Sequence, residues 1–168
     1  TTVRNERWVH ENVAILGDAA HTAHFSIGSG TKMAMEDAIV LARAIAAHPG
    51  DLPAALTAYE DEQRPMIGRI QTAAQQSLEW FEQARRHHAA LEPTQLAFSL
   101  LTRSRRITHS NLALRDPAWV EEADRWFAEK AGVHVEPGQK PPPPMFTPLT
   151  LRGMTLANRV VVSPMCQY

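Results

Sequence analysis

The sequence predicts an α/β fragment that is mostly α as it stands: one strand, a glycine-rich loop and a helical tail, then the first strand of a second fold. Three observations lead there. The run Val13-Ala14-Ile15-Leu16 is apolar and stops at Gly17-Asp18, the pattern of a buried strand meeting a turn. Helical periodicity then runs with short interruptions from Thr31 to Lys130. Composition breaks at Glu136, where Pro137-Gly138-Gln139-Lys140 leads into four prolines, Pro141 to Pro144, an extended, semi-rigid linker.

In order, the first helix is expected from Thr31 to about Ala47, with Ala34, Ala38, Leu41, Ala42 and Ile45 as its apolar face. Ser29 or Thr31 can cap it, and Pro49-Gly50 closes it. Asp51 caps a second helix through Leu56 and Tyr59. Pro65 should kink or restart that helix, after which Ile67, Ile70, Ala74, Leu78 and Phe81 carry the stripe to about His88. A third helix is expected over Pro93–Arg106 and a fourth over Pro117–Lys130, with Trp119, Ala123, Trp126 and Phe127 on its apolar side. Beyond the linker, Arg152-Gly153 reads as a turn and Val160 to Val162 as a strand. The division is therefore 1–135, a linker at 136–145, and a new start at 146–168.

The chain has 168 residues, 44% hydrophobic and 21% charged, with 17 basic against 18 acidic side chains. That balance supports a globular core and leaves no electrostatic footprint for nucleic acid or an anionic membrane. One cysteine, Cys166, excludes an internal disulfide framework and a cysteine-rich zinc site. No apolar run is long enough for a membrane helix, and no signal-like segment opens the chain; the expected location is cytoplasmic. The chain starts at Thr1 without methionine and stops at Tyr168 just past an apolar run, as expected of a piece of a longer polypeptide.

The chemistry concentrates in Gly17-Asp18-Ala19-Ala20-His21 and Gly28-Ser29-Gly30. An aspartate at the carboxyl end of a strand can accept hydrogen bonds from sugar-like hydroxyls. Small residues let a ligand approach the backbone, and a helix N-terminus after glycine presents N–H groups to negative charge. This string, with Ala34 and Asp37-Ala38, resembles the second flavin motif of class A aromatic-ring monooxygenases. The family's tyrosine and Glu-x-x-x-Arg-Pro helix is matched by Tyr59 to Pro65, and the likeness covers roughly residues 8 to 130. It implies an α/β flavoprotein. In it Gly17, Asp18, Gly28, Gly30, Thr31 and Lys32 bind FAD: Asp18 holds the ribityl hydroxyls, and amides near Gly30, Thr31 and Lys32 face the pyrimidine edge of the ring. It further implies NAD(P)H as reductant and O2 as co-substrate. Two positions depart from the family: Phe25 replaces a proline on the substrate side, and Lys32 replaces an asparagine. The stretch His24 to Lys32 resembles the branch acting on CoA thioesters of salicylate or 2-aminobenzoate, so an aromatic CoA thioester is the implied substrate.

The last segment points the same way. Pro148-Leu149 through Arg152-Gly153, Asn158-Arg159-Val160 and Ser163-Pro164-Met165-Cys166-Gln167-Tyr168 resembles the opening of an old-yellow-enzyme TIM barrel. By that likeness Ser163, Pro164, Met165 and Cys166 lie against FMN and Tyr168 faces the substrate pocket as the candidate catalytic residue. This order of parts is that of bifunctional aryl-CoA monooxygenase/reductases. Rival readings are a monooxygenase for a free phenolic acid, and an inactive helical fragment or interaction module, since no Gly-x-Gly-x-x-Gly turn for the FAD pyrophosphate is present. No metal site is expected: His21 and His24 lack a third ligand and read as structural. Arg103, Arg105 and Arg106 read as a solvated helix face, with a CoA phosphate as the remote alternative. Whether the protein is a homo-oligomer stays open.

Overall fold

The computed structural model describes residues 2–162. They fall into two compact units, residues 2–90 with 103–106, and residues 91–102 with 107–162.

The first unit opens with a hairpin of β1 (Val9–His10) and β2 (Val13–Ala14), Val9 lying opposite Ala14 and His10 opposite Val13. Glu11 takes the left-handed conformation in its turn, at φ 52°. The expected buried strand Val13–Leu16 is thus corrected to a two-residue strand whose Val13 is 58% exposed, with Leu16 exposed too. A two-stranded ribbon covers itself on one side only, so it cannot bury alternate residues on both faces. A 3-10 turn at Gly17–Ala19 and another at Phe25–Ile27 lead into α1, Gly30–Ala47.

α1 forms where expected but shows the core a different face. Met33, Asp37, Val40 and Ala44 are buried, while Ala38, Ala42 and Ile45 are exposed. The buried stripe contains an aspartate, so apolar periodicity alone selects the wrong side. α2 (Leu52–Glu82) starts from Asp51, whose Oδ1 accepts from the Ala54 amide at 3.0 Å, and runs 31 residues straight through Pro65. Of the kink or restart expected at the proline, the restart does not occur. Pro65 and Asp61, whose carbonyl loses its intrahelical donor, are both exposed, so water can take that bond. Buried Ile67 and Ile70 hold the next turns in a core of Trp8, Ala20, Met33, Val40, Ala44 and Tyr59. The helix breaks at Gln83, and α3 (Ala84–Ala90) follows.

In the second unit, α4 spans Pro93–Thr102 rather than reaching Arg106, because 103–106 is a turn with Arg105 at φ 56°. α5 (His109–Arg115), not anticipated, begins with a capping box between Thr108 and Asn111. α6 (Pro117–Lys130) starts at Asp116, which accepts from the Trp119 amide at 3.0 Å. Phe98 stacks on Trp119 with centroids 5.8 Å apart, and the Arg159 guanidinium lies 4.8 Å from the Phe127 ring centre. Between α4 and α6 lies a cavity of about 230 Å³ lined almost wholly by apolar surface, including Phe98, Trp126 and Phe127.

The proline stretch is not uniformly extended. It turns at Gly138, and Arg125 donates to the Gln139 carbonyl at 2.8 Å. β3 (Leu149–Leu151) and β4 (Met154–Leu156) then pair around Arg152-Gly153, the turn read from the sequence. Val160 to Val162, expected as a strand, carry no strand pairing among the described residues. A barrel strand needs neighbours to take its backbone groups, and none is beside it among the described residues. Among the described residues no helix is long and apolar enough to cross a membrane.

Candidate functional site

The first unit is organised around one buried carboxylate. Gly17 sits at φ 58°, where a side chain would be strained by conformation, and a Cβ there would just touch the Ala34 Cβ of α1 at 3.4 Å. The Gly17 amide donates to Asp37 Oδ2 at 2.8 Å, while the Ala20 and His21 amides return to the Gly17 carbonyl at 2.9 Å. Asp37 is fully buried, and its oxygens also accept from His21 Nε2 at 2.7 Å and Gln63 Nε2 at 2.8 Å. Three donors converging on one enclosed carboxylate compensate its desolvation. His21 Nδ1 and Gln63 Oε1 are buried without hydrogen-bond partners among the described residues.

This arrangement fixes the turn and leaves Asp18 outside it. Asp18 is exposed and makes no hydrogen bond among the described residues. The start of α1 is equally open. Gly28 is left-handed at φ 61°, and Ser29 occupies the N-cap position without capping: its Oγ donates to the Ile27 carbonyl at 3.2 Å instead. Among the described residues no side chain therefore accepts from the first amides of the helix, and none lies within 4 Å of where a Gly30 Cβ would be. Thr31 and Lys32 are exposed, with the Lys32 ammonium paired to Glu36, so it is the Lys32 backbone N–H that is on offer.

Two neighbours complete the setting. Tyr59 is fully enclosed and donates to the Ile15 carbonyl at 3.1 Å; burial, then the charges of Asp37 and Glu60, hold its phenol far above the ordinary range. Glu60 Oε2 accepts from the Trp8 and Val9 amides at 3.2 and 3.1 Å, fastening the hairpin to α2. Phe25, on the second 3-10 turn, is 84% exposed and lies 4.4 Å from the His24 ring.

The structure thus gathers Gly17, Asp18, Gly28, Gly30, Thr31 and Lys32 in one unit, with Phe25 on the turn leading to α1. Ser163, Pro164, Met165, Cys166 and Tyr168 lie outside the described residues. Among the described residues no group of three or more potential ligands could hold a metal. His21 supports Asp37, and His24 Nδ1 accepts from the Ser26 amide at 3.2 Å. The sequence reading missed how Asp37, His21 and Gln63 join. Its only trace was that Gln63 falls at helical spacing between Tyr59 and Ile67, on the face that proves buried.

These residues fit FAD. An uncapped row of amides at a helix N-terminus suits an electron-accepting ring edge, and a free carboxylate suits polyol hydroxyls.

Comparison with known proteins agrees. The profile described as FAD binding domain matches residues 1–93, more than half the chain. A salicyloyl-CoA 5-hydroxylase from a Streptomyces species is 44% identical over 161 residues, which is 95% of this chain and 29% of that protein. A 3-hydroxy-4-methyl-anthranilyl-(aryl-carrier protein) 5-monooxygenase from Streptosporangium sibiricum is 48% identical over 79 residues, 47% of this chain and 22% of that protein. Salicylate hydroxylase of Pseudomonas putida is 38% identical over 78 residues, 45% of this chain and 18% of that protein. The chain spans less than a third of the length of each of these relatives. With its open amide row, its free aspartate and a matching profile over residues 1–93, the chain belongs to the FAD binding domain family.

Proposed function

We propose that this chain is part of an FAD-dependent monooxygenase that hydroxylates the aromatic ring of a CoA thioester, using O2 and NAD(P)H. The observation that carries the reading is the uncapped start of α1 in the same unit as the exposed Asp18 carboxylate. It stands in a chain that matches a salicyloyl-CoA 5-hydroxylase over 95% of its length.

When bound, FAD supplies the redox chemistry that activates oxygen. The chain's own residues bind and orient. Asp18 accepts from the ribityl hydroxyls. The amides of Gly30, Thr31 and Lys32 donate to the pyrimidine edge and favour negative charge there, with no reorganisation needed at the moment it develops. Asp37, His21 and Gln63 keep the Gly17 turn in the one conformation that aims Asp18 outward. Phe25 borders the aromatic substrate. No side chain of this chain is required as a general base.

In the same proposal, residues 146–168 begin an FMN-dependent old-yellow-enzyme-like oxidoreductase. Ser163, Pro164, Met165 and Cys166 lie against FMN and Tyr168 lies at its substrate pocket. This part of the proposal rests on the resemblance of Pro148 to Tyr168 to the opening of an old-yellow-enzyme barrel.

The test is the complete protein, purified and assayed with salicyloyl-CoA and with free salicylate. Retained FAD, a second flavin released as FMN, and NAD(P)H-dependent hydroxylation confined to the thioester are the expected results. Hydroxylation of free salicylate alone would assign it to the phenolic-acid monooxygenases, represented here by the Pseudomonas putida relative. A colourless protein without flavin would end the proposal.

A further inference from the structure

The segment 103–106 belongs to the first unit, although the residues on both sides of it belong to the second. What it brings there is Arg103. Its Nε donates to Ser77 Oγ at 3.0 Å, and its Nη2 donates to the Ser26 carbonyl at 3.1 Å. The guanidinium lies 5.1 Å from the centre of the Phe81 ring. Ser77 is fully buried on α2, so one arm of the fork ends on a fixed post. The other arm ends on the 3-10 turn Phe25–Ile27, whose Ser26 hydroxyl also donates to the Ala74 carbonyl of α2 at 3.4 Å. That second bond is long, which leaves Arg103 as the stronger polar tie on the turn.

We propose that Arg103 is a positioning residue for the substrate side of the flavin site. By clamping the Ser26 carbonyl to Ser77 it sets where the exposed Phe25 ring stands and how the chain enters Gly28 and the amides of α1. A planar fork with two donors at fixed angles suits this task, and a lysine ammonium cannot span both acceptors in the same way. The inference rests on the functional reading above.

The test uses the complete protein carrying Arg103→Met, Arg103→Lys or Ser77→Ala, with Phe25→Ala beside them. Without added flavin, amide exchange in the segment 25–28 should rise for Arg103→Met, while exchange at 17–21 stays as in the parent. With FAD and salicyloyl-CoA, KM should rise about tenfold, equivalent to about 1.4 kcal/mol. The share of reductant lost as hydrogen peroxide should grow, and FAD content should hold. Arg103→Lys should recover part of the loss, Ser77→Ala should act in the same direction, and Phe25→Ala should reproduce the rise in KM without the change in exchange. Unchanged exchange at 25–28, or an unchanged KM and peroxide yield in a folded Arg103→Met protein, overturns the inference. If Arg103→Met does not fold, Ser77→Ala and Phe25→Ala decide it by the same readouts. A parent protein that holds no FAD overturns the functional reading and this inference with it, whereas an FAD-loaded, hydroxylating parent with indifferent variants overturns the inference alone.

Discussion

The two units hold themselves together by different means. In the first, a carboxylate at 0% exposure gathers an amide, an imidazole and a carboxamide. In the second, aromatic plates stack at 5.8 Å beside an apolar cavity, and a cation lies over Phe127. Hydrogen bonds to a buried charge have one good geometry, and losing any partner exposes the full desolvation penalty. Stacked rings tolerate sliding and re-packing. The unit that carries the proposed flavin contacts, Asp18 and three amides, is the one built from directional bonds.

The contrast is breakable by substitution. Asp37→Ala should be the most damaging change, about 3–5 kcal/mol, because three donors lose an enclosed charge. Hydrogen exchange at the Gly17, Ala20 and His21 amides of the complete protein would report it, and a value near that of a surface substitution would refute the comparison. Asp18→Ala should leave those amides untouched and instead weaken FAD retention, removing charge-assisted bonds worth roughly 1.5–3 kcal/mol each; flavin content after gel filtration is the measurement. In the second unit, Phe98→Leu should cost less than about 1.5 kcal/mol, since the cavity wall can re-pack. A larger loss, read from exchange across α4 and α6, would mean the aromatic pile is as exacting as the polar cluster.

Tyr59→Phe is the finest probe, removing one bond to the Ile15 carbonyl, about 0.5–1.5 kcal/mol at neutral pH. Its pH dependence carries a definite sign. The folded phenol is held above its ordinary value of 10.0, so the neutral form favours folding. That contribution is complete below pH 10 and is lost as pH rises beyond it. Urea midpoints taken from about pH 8 to 11 should therefore fall less steeply for Tyr59→Phe than for the parent. Parallel curves would show that the enclosed phenol does not govern alkaline stability.

The local parts of the fold were legible in the sequence. The Gly17-Asp18 turn, the glycines before α1, the caps at Asp51 and the extent of α6 are each written in neighbouring residues. What was hidden depends on partners far along the chain. The buried face of α1 was misassigned because Asp37 interrupts its apolar pattern, and only the donors from Gly17, His21 and Gln63, the last 26 residues away, make burial tolerable. The clamp from Arg103 to Ser26 joins residues 77 apart, and nothing in a run of three arginines within four residues singles out the first. α5 escaped because seven residues carry too short a period, leaving its Thr108–Asn111 cap as the only local sign. For the candidate site, the sequence supplied the residues proposed to touch a ligand and was silent on those that hold them in place.

α2 has a consequence for how this chain can change over time. Its 31 residues rise about 46 Å without a break, and the fastenings of the first unit are spaced along it: Glu60 to the hairpin, Gln63 to Asp37, Gln71 to the Val3 and Thr22 carbonyls, Ser77 to Arg103. Deleting a single residue between Gln63 and Gln71 would turn one half against the other by about 100° and shift it by about 1.5 Å. Either the earlier or the later set of fastenings would then miss its partners. Point substitutions along the outer face of α2 are readily absorbed, but its length is not negotiable, so insertions and deletions in relatives of this chain should fall outside 59–77.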